Sequence, residues 1–136
     1  MHELDAEVRA LGDTVPESFV RDFQESTLGT PLPEAFMEKV VAESRRLPAA
    51  VWRAAMQDLV AADDAETIRD IAAPTLLVWG DRDSYFLRPE QERLLAAIPD
   101  SRLVVVPGAG HATHWERPSD VAAEIAAFVR ATPARV

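Results

Sequence analysis

Two residues suited to acid–base chemistry, Asp83 and His111, each follow a short apolar run and a glycine turn. Asp83 comes after the segment TLLVWGDR at residues 75–82, and His111 comes after RLVVVPGAG at residues 102–110. Apolar runs bounded by turn residues are typical of strands buried on both faces of a parallel sheet. Because the carboxyl ends of such strands meet at one edge of the sheet, we expect the Asp83 carboxylate to hold the His111 imidazole.

The elements around this pair predict an α/β arrangement. Residues 88–98 read as a helix between the two strands, so the unit is strand, helix, strand with a right-handed crossover expected. A further helix begins at Pro118. The residues expected to form the buried sides of these two helices are Leu94, Leu95, Ile98, Val121, Ile125, Phe128 and Val129.

The chain before residue 70 predicts short amphipathic helices. One ends at Gly12, and the next opens with a capping box at Thr14–Glu17. A loop follows at residues 28–33, and further helices start near Pro33 and after Pro48. An acidic break is predicted at residues 63–66, and a short tail from Thr132.

The larger apolar side chains of these helices recur at helical spacing: Phe19 and Phe23 in one helix, and Trp52 and Met56 in another. This pattern suits either a packed core or a substrate pocket.

The segments WGDRD at residues 79–83 and GAGHA at residues 108–112 resemble the α/β-hydrolase superfamily, in its carboxyl-terminal half. In that family the triad runs nucleophile, acid, histidine along the chain. The resemblance implies that Asp83 is the acid and His111 the base. It also implies a partial α/β-hydrolase fold, with a helical cap or lid segment at residues 1–70 and core at residues 71–136. The expected reaction is cofactor-free hydrolysis of an ester, amide, epoxide or carbon–halogen bond in a small molecule.

The sequence departs from that family in lacking a recognisable nucleophile. A G-x-S-x-G elbow needs two glycines four residues apart, and the five glycines, at 12, 29, 80, 108 and 110, offer no such pair. There is no cysteine and no His-Gly-Gly oxyanion loop. We therefore expect these residues to supply the acid and base only. The alternative is a non-catalytic, truncated remnant or partner module that pairs with the missing half or with a second copy.

Other residues near the pair leave open alternatives. Asp81 is a rival acid that more readily suits a turn, and His114 is a rival base without the preceding glycines. His111, His114 and Glu116 also invite a metal-site interpretation, but the spacing H-x-x-H-x-E is not a strong zinc signature. We expect no metal and no cofactor, and the sequence does not identify substrate-binding residues.

Composition narrows the class of partner. The formal net charge of −9 argues against nonspecific binding to nucleic acid or to anionic membranes. The hydrophobic content of 48% and charged content of 27% are ordinary for a globular protein. No apolar run approaches the roughly 20 residues of a membrane-spanning helix, and the first residues lack the layout of a signal peptide. A cytoplasmic location is the resulting expectation.

Overall fold

The computed structural model describes residues 2–62 and 66–132. The helices are α1 (His2–Arg9), α2 (Glu17–Ser26), α3 (Glu34–Ser44), α4 (Ala49–Ala61), α5 (Arg88–Ala97), α6 (Thr113–Glu116) and α7 (Pro118–Ala131), the strands are β1 (Thr75–Gly80) and β2 (Ser101–Val106), and a 3₁₀ helix spans Thr67–Asp70. Most of the predicted acidic break and the tail beyond residue 132 lie outside the described residues. None of the helices in the described ranges is long and apolar enough to cross a bilayer.

The chain divides into two compact units. The first comprises residues 2–26 and 32–62 of the described chain, and the second comprises residues 27–31 and 66–132. The short segment at 27–31 therefore belongs with the strands, although it lies between two helices of the first unit. The sequence predicted this segment as a loop and did not indicate that it joins the second unit.

The first unit is built from four helices. Helix α1 contacts α4, and α2 contacts α3. The rings of Phe19 and Phe23 meet Trp52 edge-on, with centroids 5.7 and 5.4 Å apart. Such aromatic pairs stabilise by about 1 kcal/mol beyond their burial. The core of the unit consists of Leu4, Val8, Val20, Met37, Val40, Val41, Ala49 and Met56.

Two predicted helix boundaries in this unit are wrong. Helix α1 ends at Arg9, three residues before Gly12, and Gly12 does not adopt the positive φ of a capping glycine. Helix α2 begins at Glu17 rather than just after Thr14. The reason is Pro16, which disfavours helical backbone at the preceding residue. The Pro16 carbonyl instead accepts the first helical bond, from the Val20 N–H.

The second unit confirms the predicted α/β fold class. Strands β1 and β2 pair in parallel, with Thr75 opposite Ser101 and Gly80 opposite Val106, and α5 connects them. Because both strands end at the same level, the residues that follow them meet at one edge. Val106 at the end of β2 and Ala109 in the turn that follows form a small buried core with Val121 of α7.

The expected burial of this unit is partly wrong. The buried strand residues are Trp79 and Gly80 in β1 and Val106 in β2. All three lie at the carboxyl ends of the strands, next to Asp83 and His111. The strands are therefore not buried on both faces, because a two-stranded sheet offers narrow faces for α5 and α7 to cover. The predicted helix stripes are also incomplete: Ile98 and Val121 are buried, whereas Leu95, Ile125 and Val129 are exposed.

Candidate active site

The turn after β1 holds the Asp83 carboxylate in one orientation. The Asp83 N–H donates to the Gly80 carbonyl oxygen over 3.1 Å and closes the turn. Its Oδ1 accepts the N–H groups of Tyr85 and Phe86, at 2.8 and 3.1 Å. Aspartate side chains commonly accept hydrogen bonds from the backbone N–H groups that follow them in a turn. The side chain is 4% exposed, and Oδ2 remains available for a partner outside the turn.

His111 is that partner. It follows β2 through a turn in which Gly108 has a φ of 75°, a left-handed conformation that favours glycine. The Nδ1 atom of His111 lies 2.9 Å from Oδ2 of Asp83. Because an ionised carboxylate can only accept, this bond places the proton on Nδ1 and leaves Nε2 as the acceptor in the neutral ring. The His111 side chain is 47% exposed, so a buried acid holds an accessible base.

Aromatic residues flank the imidazole. The Phe86 ring stacks on His111 with centroids 5.5 Å apart and planes 28° apart, and the Tyr85 ring lies 6.1 Å away. The Trp79 Nε1–H donates to the Phe86 carbonyl oxygen over 2.7 Å and fixes the backbone of that residue. Phe86 also lines an open apolar groove of about 810 Å³, together with Ile68, Arg69, Glu90, Arg93, Leu94, Ala96, Ala97 and Pro99.

The two rival residues have different surroundings. Asp81 is exposed, and its Oδ1 accepts the Gly108 N–H over 2.6 Å, which ties the turn after β1 to the turn after β2. His114 is exposed in α6, where its ring lies 5.1 Å from that of Trp115. The structure thus brings Asp83 and His111 together and gives Asp81 the turn contact that its sequence position suggested.

Three glycines allow backbone segments to cross closely beside this pair. An ideal Cβ atom built on Gly80 would lie 2.2 Å from the Gly110 oxygen. A Cβ on Gly110 would lie 2.4 Å from the Gly29 nitrogen, and one on Gly29 would lie 2.6 Å from the Gly110 nitrogen. These separations exclude any side chain. The crossing joins three segments that are far apart in sequence: the end of β1, the turn before His111 and residues 27–31.

Glu116 and residues 27–31 are parts of this site that the sequence did not reveal as such. The His111 N–H donates to the Thr27 carbonyl oxygen over 2.7 Å. One oxygen of Glu116 accepts the Gly110 N–H, and the other accepts the N–H groups of Gly29 and Thr30. No short motif marks this arrangement, because its partners are as many as 87 residues apart along the chain.

The alternative metal set of His111, His114 and Glu116 is not assembled. In the described ranges, no group of three or more histidine, cysteine, aspartate or glutamate side chains is arranged to hold a metal ion. The carboxylate of Glu116 is instead hydrogen-bonded to backbone amides, and Nδ1 of His111 is bonded to Asp83.

Comparison with known proteins gives a match over most of the chain. A sequence profile described as the Alpha/beta hydrolase family matches residues 3–124. The solved structure of the esterase EaEST from Exiguobacterium antarcticum superposes with a TM-score of 0.84 at 18% identity, covering 96% of this chain and 47% of the esterase. At that identity the likeness concerns the fold.

Two curated bacterial hydrolases are similar in sequence. The 2-hydroxy-6-oxononadienedioate/2-hydroxy-6-oxononatrienedioate hydrolase 2 of Pseudomonas putida is 35% identical over 81 residues, or 60% of this chain and 23% of that protein. A 2-hydroxy-6-oxononadienedioate/2-hydroxy-6-oxononatrienedioate hydrolase of Cupriavidus pinatubonensis is 28% identical over 94 residues, or 69% of this chain and 32% of that protein. The chain thus spans a third or less of the curated relatives and about half of the esterase.

Proposed function

The chain belongs to the alpha/beta hydrolase family, and we propose that Asp83 and His111 serve as the acid and base of a hydrolytic triad. The observation that carries this proposal is the 2.9 Å bond between Nδ1 of His111 and Oδ2 of Asp83. It is supported by the burial of the acid and the exposure of the base. On this proposal the first unit is part of a cap segment and the second unit is the carboxyl-terminal part of the core.

In the proposed cycle, Nε2 of His111 accepts the proton of the nucleophile as that group attacks the substrate. The Asp83 carboxylate stabilises the imidazolium that forms, because the negative charge lies next to the protonated ring. His111 then gives the proton to the leaving group, and a covalent intermediate remains on the nucleophile. His111 then takes a proton from a water molecule, which attacks this intermediate, and returns that proton to the nucleophile as the second product leaves. No step requires an oxidant, a reductant or a cofactor.

We further propose that the nucleophile lies outside these 136 residues. The support is the absence of a G-x-S-x-G spacing and of cysteine in this sequence. The nucleophile would be encoded beside this sequence or carried by a partner chain. The relatives are named as hydrolases of 2-hydroxy-6-oxononadienedioate and 2-hydroxy-6-oxononatrienedioate, so these two compounds and a simple p-nitrophenyl ester are the substrates to test first.

A fluorophosphonate, which labels activated serines, tests this proposal by intact-mass spectrometry. We expect no adduct on the purified chain by itself. We expect one adduct, together with hydrolysis of a test substrate, when the chain is joined to a nucleophile elbow found in the adjoining coding sequence or in a partner. His111→Ala should abolish both signals, because the nucleophile then has no base.

Two results would count against parts of the proposal. A stoichiometric adduct on the isolated chain that disappears in His111→Ala would place the nucleophile within these residues. Wild-type labelling and turnover in the joined His111→Ala protein would remove His111 from the catalytic role altogether. The first result changes only the source of the nucleophile, whereas the second overturns the triad assignment.

A second candidate function is that of a non-catalytic partner module. It is favoured by the apolar groove beside Phe86 and by the exposed side chains of Leu95, Ile125 and Val129 in the second unit. Large exposed apolar surfaces often mark protein interaction sites. On this proposal the missing half or a second copy of the chain covers these surfaces.

The isolated chain should accordingly self-associate or bind an apolar-surface dye. Size-exclusion chromatography with light scattering gives the molar mass, which we expect to exceed the 15.0 kDa of one chain at micromolar concentration. Val129→Lys, at a position that is 63% exposed, should reduce both association and dye binding. A stable monomer that binds no dye would contradict the interaction proposal and leave the catalytic one untouched.

A further inference from the structure

Glu116 occupies a bridging position at the end of α6. Its Oε1 accepts the Gly110 N–H over 2.8 Å, and its Oε2 accepts the N–H groups of Gly29 and Thr30 over 2.9 and 2.7 Å. The side chain is half-buried. Bonds from backbone amides to an ionised carboxylate are shorter and stronger than those between neutral groups. One charged side chain therefore joins the residue before His111 to the segment at 27–31.

Neighbouring bonds reinforce the same junction. The Thr27 carbonyl oxygen accepts the His111 N–H over 2.7 Å, and the Thr30 hydroxyl donates to the Gly108 carbonyl oxygen over 3.0 Å. Arg82, in the turn after β1, also takes part, because its backbone N–H donates to the Ala109 carbonyl oxygen over 2.9 Å. Residues 27–31 thus form a backbone platform under the turn that carries His111.

The geometry points to Glu116 as a positioning residue for His111. Asp83 restrains one ring nitrogen, but the orientation of an imidazole also depends on where its backbone lies. The backbone before His111 consists of glycine and alanine, which offer little side-chain packing to fix it. The carboxylate of Glu116 supplies that restraint by holding Gly110 against Gly29 and Thr30. We propose that this clamp keeps Nδ1 of His111 within bonding distance of Asp83.

Glutamine at position 116 cannot reproduce the clamp. Its amide has one accepting oxygen and one donating nitrogen, whereas the three backbone partners are all donors on two sides of the group. Whichever way the amide turns, its NH₂ group faces a backbone N–H. We therefore expect Glu116→Gln to release either Gly110 or the Gly29–Thr30 pair while keeping the size of the side chain.

Two NMR measurements on the purified chain test this inference without needing activity. In Glu116→Gln, amide hydrogen exchange should become about tenfold faster or more either at Gly110 or at both Gly29 and Thr30, whichever side loses its acceptor, as the loss of a charged hydrogen bond implies. The ¹⁵N signals of the His111 ring should show a shift of tautomer population toward Nε2–H. Glu124→Gln is the matched control, because Glu124 pairs with Arg102 on the surface. It should alter neither readout.

The outcomes separate the clamp from general stability and from the triad. Faster exchange with an unchanged His111 ring signal would mean that Glu116 ties the segments together without positioning the imidazole. Unchanged exchange would mean that the bonds do not restrain the backbone in solution. If Glu116→Gln does not fold, Glu116→Asp retains the charge but is one methylene shorter, and the same readouts apply to it. The inference rests on the proposed base role of His111 for its catalytic meaning. If both NMR readouts change as expected but His111→Ala leaves turnover unchanged, the positioning role of Glu116 stands and only the triad assignment is overturned.

Discussion

Replacing Asp83 with asparagine should lower kcat by about 10⁴-fold in a protein that carries the nucleophile, as the same change does in a serine-protease triad. The expected cause is a change of tautomer rather than a loss of structure. Asparagine and aspartate have nearly the same shape, so the turn after β1 can retain its backbone course. The difference lies in which atoms of the side chain can accept a hydrogen bond.

Three donors converge on the two oxygens of Asp83. Tyr85 and Phe86 donate their backbone N–H groups to Oδ1, and His111 donates Nδ1–H to Oδ2. An asparagine has one oxygen, which we expect to stay with the two backbone donors. Its NH₂ group then faces Nδ1 of the imidazole, which must become an acceptor. The ring proton moves to Nε2, where it blocks acceptance of a proton from the nucleophile.

The tautomer can be measured in the isolated chain from ¹⁵N ring shifts, at a pH where the imidazole is neutral. Nδ1–H should predominate in the wild-type chain and Nε2–H in Asp83→Asn. Asp81→Asn is the matched control, because its remaining oxygen can still accept the Gly108 N–H. A loss of at most about tenfold in kcat is expected for it, in line with about 1 kcal/mol for one neutral hydrogen bond. Equal effects of the two substitutions would contradict the assignment of Asp83.

The contact between Asp83 and His111 could be predicted because it depends on local patterns. An apolar run, a glycine and a polar residue occur twice, and parallel pairing brings the ends of such runs together whatever their surroundings. Trp79, Gly80 and Val106, the buried residues of the strands, lie at that end. The choice of Asp83 over Asp81 as the acid came from family resemblance and stays a prediction, but the structure shows that the two aspartates have different surroundings. Asp83 is buried and faces the ring, whereas Asp81 is exposed and bonds a turn.

The platform under His111 could not be predicted in the same way. Residues 27–31 have no periodic pattern, and their contacts with Gly110 and Glu116 cross about 80 residues of intervening chain. Glu116 was noticed only as a possible metal ligand, since a carboxylate beside histidines suggests that chemistry from sequence alone. The prediction of which helix residues are buried was partly wrong for a related reason. Periodicity shows that Ile125 and Val129 lie on one face of α7, but not whether another element covers that face.

Gly80→Ala should destabilise the second unit by about 3 kcal/mol, at the upper end of the cost of overpacking. The added Cβ would lie 2.2 Å from the Gly110 oxygen and 2.3 Å from the Ala109 oxygen. Both obstacles are backbone atoms, so no side-chain rotation can relieve the overlap. The end of β1 must move away from the turn before His111, which lengthens the Asp83–His111 bond. Destabilisation and loss of the Nδ1–H tautomer should therefore occur together.

Gly12→Ala is the matched control for this effect. A Cβ at Gly12 has no atom within 4 Å, and the residue does not have a positive φ. Its replacement should change the free energy of unfolding by no more than about 0.5 kcal/mol, as for an ordinary surface position. Urea unfolding followed through the NMR signals of Trp79 and His111 reports on the second unit in both variants. Equal stability of Gly80→Ala and Gly12→Ala would show that the close crossing of β1 and the His111 turn does not exist in solution. The buried acid would then have no fixed distance to its base.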